Sequence, residues 1–117
     1  MKTPHRLAFG LIFAAALAFS QGPIRVGGNV QQANIVSRVS PVYPADAKRD
    51  RIQGTVRLEV TIDKEGHVQS VSLVDGPAAL VQSAVDAVSL WVYKPTLLNG
   101  QPVEVITTVD VNYTLSQ

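Results

Sequence analysis

Residues 54–76 read GTVRLEVTIDKEGHVQSVSLVDG, and their alternation decides the fold. Val56, Leu58, Val60 and Ile62 fall on one face of an extended chain. Thr55, Arg57, Glu59 and Thr61 fall on the other, the pattern of a strand buried on one side. Asp63-Lys64-Glu65-Gly66 is a tight-turn signal with glycine at its end. Val68 to Val74 then forms a second strand whose alternation slips between Val68 and Val71, which points to a bulge or bend. The two strands make a hairpin that needs a partner for its apolar face.

That partner lies downstream. Asp75-Gly76-Pro77 reads as a helix start, with a capping aspartate or glycine and then proline in the first turn. Leu80, Ala84, Ala87, Val88 and Trp91 share one face at helical spacing and should pack across the sheet. Val92 to Pro95 leaves the helix, and Leu98 to Pro102 is a loop with an Asn-Gly turn signal. Val103 to Leu115 is the last strand, with Val105, Thr107, Val109, Val111, Tyr113 and Leu115 on one face.

Upstream, the two prolines of Pro41-Val42-Tyr43-Pro44 favour an extended or turning backbone, and Pro44 suits the first position of a helix. Ala45 to Arg51 is a short helix stopped by Gly54. Ile35 to Val39 is an extended segment that joins the domain. Residues 21–34, with three glycines and one proline, read as a flexible lead-in in which Ile24 to Val26 is a short extended piece. The expected architecture is α+β: a three-stranded antiparallel sheet with helices packed on one face, formed by residues 35–117.

The chain has 117 residues, one domain's length, and its 46% hydrophobic and 16% charged composition is that of a globular protein. Residues 1–20 have the three parts of an export signal: Lys2, His5 and Arg6, then an uncharged run from Leu7 to Phe19, then Ala18-Phe19-Ser20 before a cleavage point. An uncleaved anchor is the competing reading. A thirteen-residue helix reaches only about 20 Å against a hydrocarbon core of about 30 Å, which favours cleavage. Lys2 and Arg6 belong to this segment, so the remainder holds eight basic residues against nine acidic ones. That balance gives no basic face for nucleic acid. Without cysteine the chain has no disulfides and no thiol chemistry.

Catalytic patterns are missing. His67 stands beside the hairpin turn as the sole histidine outside the export segment, and a metal site needs several converging ligands. Asp63 and Glu65 sit in a turn, where carboxylates face water; Asp46 and Asp50 lie on a short polar helix. No Gly-x-Ser-x-Gly elbow, Walker loop or dinucleotide loop occurs, and Gly27-Gly28 stands alone. A binding module without cofactor, metal or small-molecule substrate is therefore expected rather than an enzyme.

One ordered set of short motifs carries a family resemblance. Pro41-Val42-Tyr43-Pro44 with Ala47 is followed by Arg51-Ile52-Gln53-Gly54-Thr55-Val56. Asp63, Gly66 and Val68 come next, then Ala87 with Trp91-Val92-Tyr93-Lys94-Pro95. In spacing this set resembles the C-terminal domain of the TonB energy-transducer family over about Pro41 to Leu115. Most of these residues read as scaffold. Tyr43 can bury its ring while its hydroxyl finds a partner, Gly54 allows close approach or a positive backbone angle, and Trp91 is a large apolar anchor.

The resemblance implies a periplasmic domain that takes the TonB box, a short extended peptide of an outer-membrane TonB-dependent receptor, as a strand beside its own last strand. The implied partner-binding residues are Val39, Ser40 and Pro41 before the Tyr-Pro pair, and Val109, Asp110, Val111, Asn112, Tyr113, Thr114 and Leu115 on the strand. An exposed strand edge offers unpaired backbone donors and acceptors, which suits that role. Full-length family members carry a serine and a histidine in an uncleaved anchor and a long proline-rich spacer. Leu7 to Phe19 holds neither residue, and residues 21–34 stretch to about 50 Å at most. A periplasmic peptide-binding module linked to TonB-dependent transport is the expected function. A membrane-anchored transducer subunit and a scaffold that dimerises through the last strand are the alternatives.

Overall fold

A computed structural model describes residues 22–116. The export-segment expectation falls on residues 1–20, outside the described residues. The chain forms β1 (Ile24–Arg25), α1 (Gly28–Gln32), β2 (Ile35–Ser37), α2 (Ala45–Arg49), β3 (Gly54–Ile62) and β4 (Val68–Asp75). It continues through α3 (Ala78–Val88), β5 (Val92–Tyr93), β6 (Thr96–Leu98), β7 (Gln101–Val103) and β8 (Val105–Tyr113).

The β3–β4 hairpin forms as its alternation requires. Val56, Leu58, Val60 and Ile62 are buried, and β8 aligns along the other side of β3 from Gly54↔Tyr113 to Ile62↔Val105. The register of β3 against β4 shifts between Ile62↔Val68 and Thr61↔Ser70, where the slip was expected. A second shift, between Arg57↔Asp75 and Leu58↔Leu73, falls at Val74 and leaves its side chain exposed. The helix α3 lays Leu80, Ala84, Ala87 and Val88 on β3 and β4, and α2 packs against α3. Each fully buried Leu, Ile or Val contributes about 1.5–3 kcal/mol, so this single apolar layer is the main source of stability. The opposite face of the sheet is polar. Arg57 and Asp110, cross-strand neighbours, form a two-pronged ion pair at 2.8 and 2.9 Å, and Thr55 Oγ1 donates to Asn112 Oδ1 at 2.6 Å.

The α+β class with helices on one face stands, as the sequence indicates, but several details are corrected. The main sheet has four strands in the order β1-β8-β3-β4, because β1 adds to β8 in parallel. The stretch read as a lead-in thus supplies a strand and a helix to the domain. The last strand is two strands broken at Glu104. β7 turns back on β6 through Asn99 and Gly100, whose φ values of 54° and 79° suit a two-residue hairpin turn. Asp75 does not cap α3. It pairs with Arg57 in the ladder, and Pro77 occupies the cap position with no side-chain bond. The helix ends at Val88, and Trp91 follows after a turn in which its N–H reaches the Val88 carbonyl. Finally, β5 pairs with β2 (Ile35↔Tyr93), and the Tyr93 N–H bonds to the Gly66 carbonyl, which ties the hairpin turn to the chain after α3.

Among the described residues no helix is long and apolar enough to cross a membrane.

Candidate functional site: the free edge of the last strand

The backbone of β8 defines the site. In an extended strand a residue's N–H and C=O point to the same side, and the side alternates with each residue. The Glu104 and Ile106 carbonyls accept the N–H groups of Ile24 and Val26, both at 3.0 Å, so they point away from β3. By alternation Thr108, Asp110 and Asn112 turn their backbone groups the same way. β1 covers only Val105 and Ile106, and among the described residues no strand pairs with this edge beyond them.

An open groove of about 570 Å³ runs along that edge. Its walls include Gly28 and Gln31 of α1, Arg38, Trp91, and Thr107 to Asp110 with Asn112 of β8. Arg38 lies 4.8 Å over the Trp91 ring, a cation–π contact, and makes no ion pair among the described residues. The Thr107 hydroxyl is buried in this wall without a hydrogen-bond partner among the described residues. The hydrogen bond from Arg57 holds the Asp110 carboxyl below its usual range, against a partial offset from desolvation and with a smaller aid from the Arg57 charge. The edge therefore offers main-chain donors and acceptors between a polar face and an aromatic-cationic wall.

Each expected site residue has a definite place. Val109, Val111 and Tyr113 turn their side chains into the core and, by the same alternation, their backbone groups toward β3, so they support the free edge without offering groups to it. Asp110 and Asn112 are exposed, and the alternation turns their backbone groups to the free edge. Thr114 and Leu115 lie beyond the end of β8, where the Leu115 N–H bonds to Gln53 Oε1. Val39, Ser40 and Pro41 do not line the same groove. They border a separate apolar groove of about 480 Å³ with Val42, Pro44 and Leu90. Trp91 joins the two places, because its Nε1–H donates to the Val39 carbonyl at 2.8 Å while its ring supports Arg38.

The Tyr43 hydroxyl donates to the Ile52 carbonyl, and its ring stands edge-on to Tyr113 at 5.4 Å. Pro44 opens α2, and Gly54 begins β3 beside Pro77. Tyr93 is buried, and burial raises its phenol pKa; Pro95 is exposed after β5. Asp63, Glu65 and His67 bring one ligand atom each within 4.8 Å, but Asp63 Oδ1 accepts the N–H groups of Glu65 and His67, which is turn chemistry. Arg38, Gly28 and Gln31 are groove residues that sequence reasoning missed. The extended signal at Ile24 to Val26 was the one clue that this segment meets the sheet.

Comparison with known proteins agrees with this architecture. The family described as Gram-negative bacterial TonB protein C-terminal matches residues 39–115. Protein TonB of Vibrio cholerae serotype O1 is 35% identical over 92 residues, covering 77% of this chain and 36% of that protein. Protein TonB of Xanthomonas campestris pv. campestris is 35% identical over 78 residues, covering 65% of this chain and 35% of that protein. The chain thus spans about a third of the length of these curated relatives. The solution NMR structure of the Pseudomonas aeruginosa TonB CTD superposes with a TM-score of 0.61 at 20% identity, over 71% of this chain and 86% of that one, which bears on the fold. With a family match over most of its folded part and this shared architecture, the chain belongs to the TonB C-terminal family.

Proposed function

We propose that this domain is a periplasmic peptide-binding module of TonB-dependent transport. It takes an extended segment of an outer-membrane receptor as a strand on the free edge of β8. The observation that carries the reading is the run of outward backbone groups at Thr108, Asp110 and Asn112, paired with no strand among the described residues and set in an open groove. Each new main-chain hydrogen bond contributes about 0.5–1.5 kcal/mol net, so side chains must add to a short ladder. The polar face at Asp110 and Asn112 and the wall of Arg38 and Trp91 supply that selectivity. Family membership supports the link to transport. Residues 1–20 act as an export signal in this reading, and the edge and the Val39–Pro41 groove engage the receptor on either side of Trp91.

The test is titration of the domain with synthetic peptides carrying the TonB box of outer-membrane receptors from the same cell. Asn112→Pro removes an outward N–H and leaves the β3 ladder intact, since proline is tolerated on an edge facing solvent. Loss of binding in this folded variant is expected. A folded variant that binds like the parent contradicts strand addition, and a parent dimer that Asn112→Pro converts to monomer favours self-association through the same edge.

A further inference from the structure

We propose that residues 24–32 are a built-in, displaceable cover on the peptide-binding edge, so that binding competes with the chain's own strand. This rests on the strand-addition reading. β1 already makes the bonds an added strand would make: the Ile24 and Val26 N–H groups occupy the Glu104 and Ile106 carbonyls in parallel register. At the next outward residue, Thr108, α1 crowds the carbonyl, because a Cβ added to Gly28 would stand 2.5 Å from that oxygen. Among the described residues, Asp110 and Asn112 have no strand partner on this side. A typical strand has about five or six residues, so a peptide of ordinary strand length must take over the positions held by this cover.

The cover is built to leave. β1 is two residues long, and its Arg25–Glu59 ion pair is exposed at both ends. α1 is five residues long, with no side-chain bond at its N-cap. Gln31 is buried, yet its amide bonds run long, 3.5 Å to Thr96 Oγ1 and 3.3 Å from Asn34 Nδ2. Ile24 and Val26 pack on the core only in part, and such short elements open locally at lower cost than the nine-rung β3–β8 ladder beneath, which persists. The pairing of β2 with β5 tethers the cover behind α1, so it competes from close range and reseals the edge when the peptide departs.

The test uses the full chain and a synthetic TonB-box peptide. Gly28→Ala pushes α1 off the Thr108 carbonyl, and Val26→Pro removes the N–H that reaches Ile106. Freeing the edge raises the competent fraction, and about tenfold tighter peptide binding is expected in at least one variant, with little change in the thermal melt. In the parent, the Val26 amide should exchange faster with solvent when peptide saturates the domain. If both variants bind like the parent while Asn112→Pro abolishes binding, strand addition stands and the cover is refuted. If Asn112→Pro binds like the parent, or neither the parent nor the two cover variants binds, both readings fall.

Discussion

Replacing Trp91 with alanine tests the packing on which the site depends. Trp91 is 6% exposed, closes the apolar layer beyond Val88, supports Arg38 on its face and donates Nε1–H to the Val39 carbonyl. Removing a buried indole costs about 3–5 kcal/mol. Roughly 1 kcal/mol of that is the lost bond to Val39, which is only half-buried and can turn to water. A domain of this size is stable by about 5–10 kcal/mol, so the variant should lose about half its stability. At about 4–8 °C per kcal/mol the melting temperature should fall on the order of 20 °C. Trp91→Phe keeps an aromatic ring but not the bond, and should lose about 1–2 kcal/mol. Far-UV circular dichroism is the assay, because the substitution removes the chain's only tryptophan. A melt of Trp91→Ala within about 3 °C of the parent would refute this account of the core.

Three further outcomes follow from single contacts. Gly66 has a φ of 95°, and a Cβ there would collide with the Tyr93 carbonyl. Gly66→Ala should therefore cost about 2 kcal/mol or more, seen as a lower urea midpoint. Burial raises the phenol pKa of both Tyr93 and Tyr113. The unfolded chain then releases these protons first, above about pH 10, so stability is full below that value and falls as pH rises through the folded values. Alkaline melts of Tyr113→Phe should show a weaker decline than the parent. For Asp110 the sign is opposite: Arg57 lowers its pKa, so its contribution is present above about pH 4 and lost as pH falls through the depressed value. In Arg57→Ala, NMR titration of the Asp110 carboxyl should find it moved up toward the ordinary range.

The long-period features were legible because each leaves a repeating trace. The β3 alternation, the turn at Asp63 to Gly66 and the apolar face of α3 all specify a face and a direction. Tyr43 and Trp91 could be named as anchors because large aromatics with a polar tip need both burial and a partner. What stayed hidden has no period to read. β1 is two residues long, and its parallel pairing joins Ile24 to Val105 across most of the chain. The break at Glu104 was invisible because Val103 and Val105 are both buried and continue one alternation through it. The edge residues Asp110 and Asn112 were legible as outward-facing positions. The groove around them was not, since Gly28 and Gln31 come from a segment whose composition resembles a linker, and Arg38 from a short extended piece with no period to give it a face.

Amide hydrogen exchange at Asp110 and Asn112 tests the central claim most directly. Both N–H groups face away from β3 and have no strand partner among the described residues. In the free domain they should exchange quickly despite lying in a nine-residue strand. On saturation with a TonB-box peptide they should slow by about tenfold or more, as groups drawn into a ladder do, while the already paired amides of Val109 and Val111 change little. Tight binding that leaves the Asp110 and Asn112 amides exchanging at their free rates would contradict strand addition to β8.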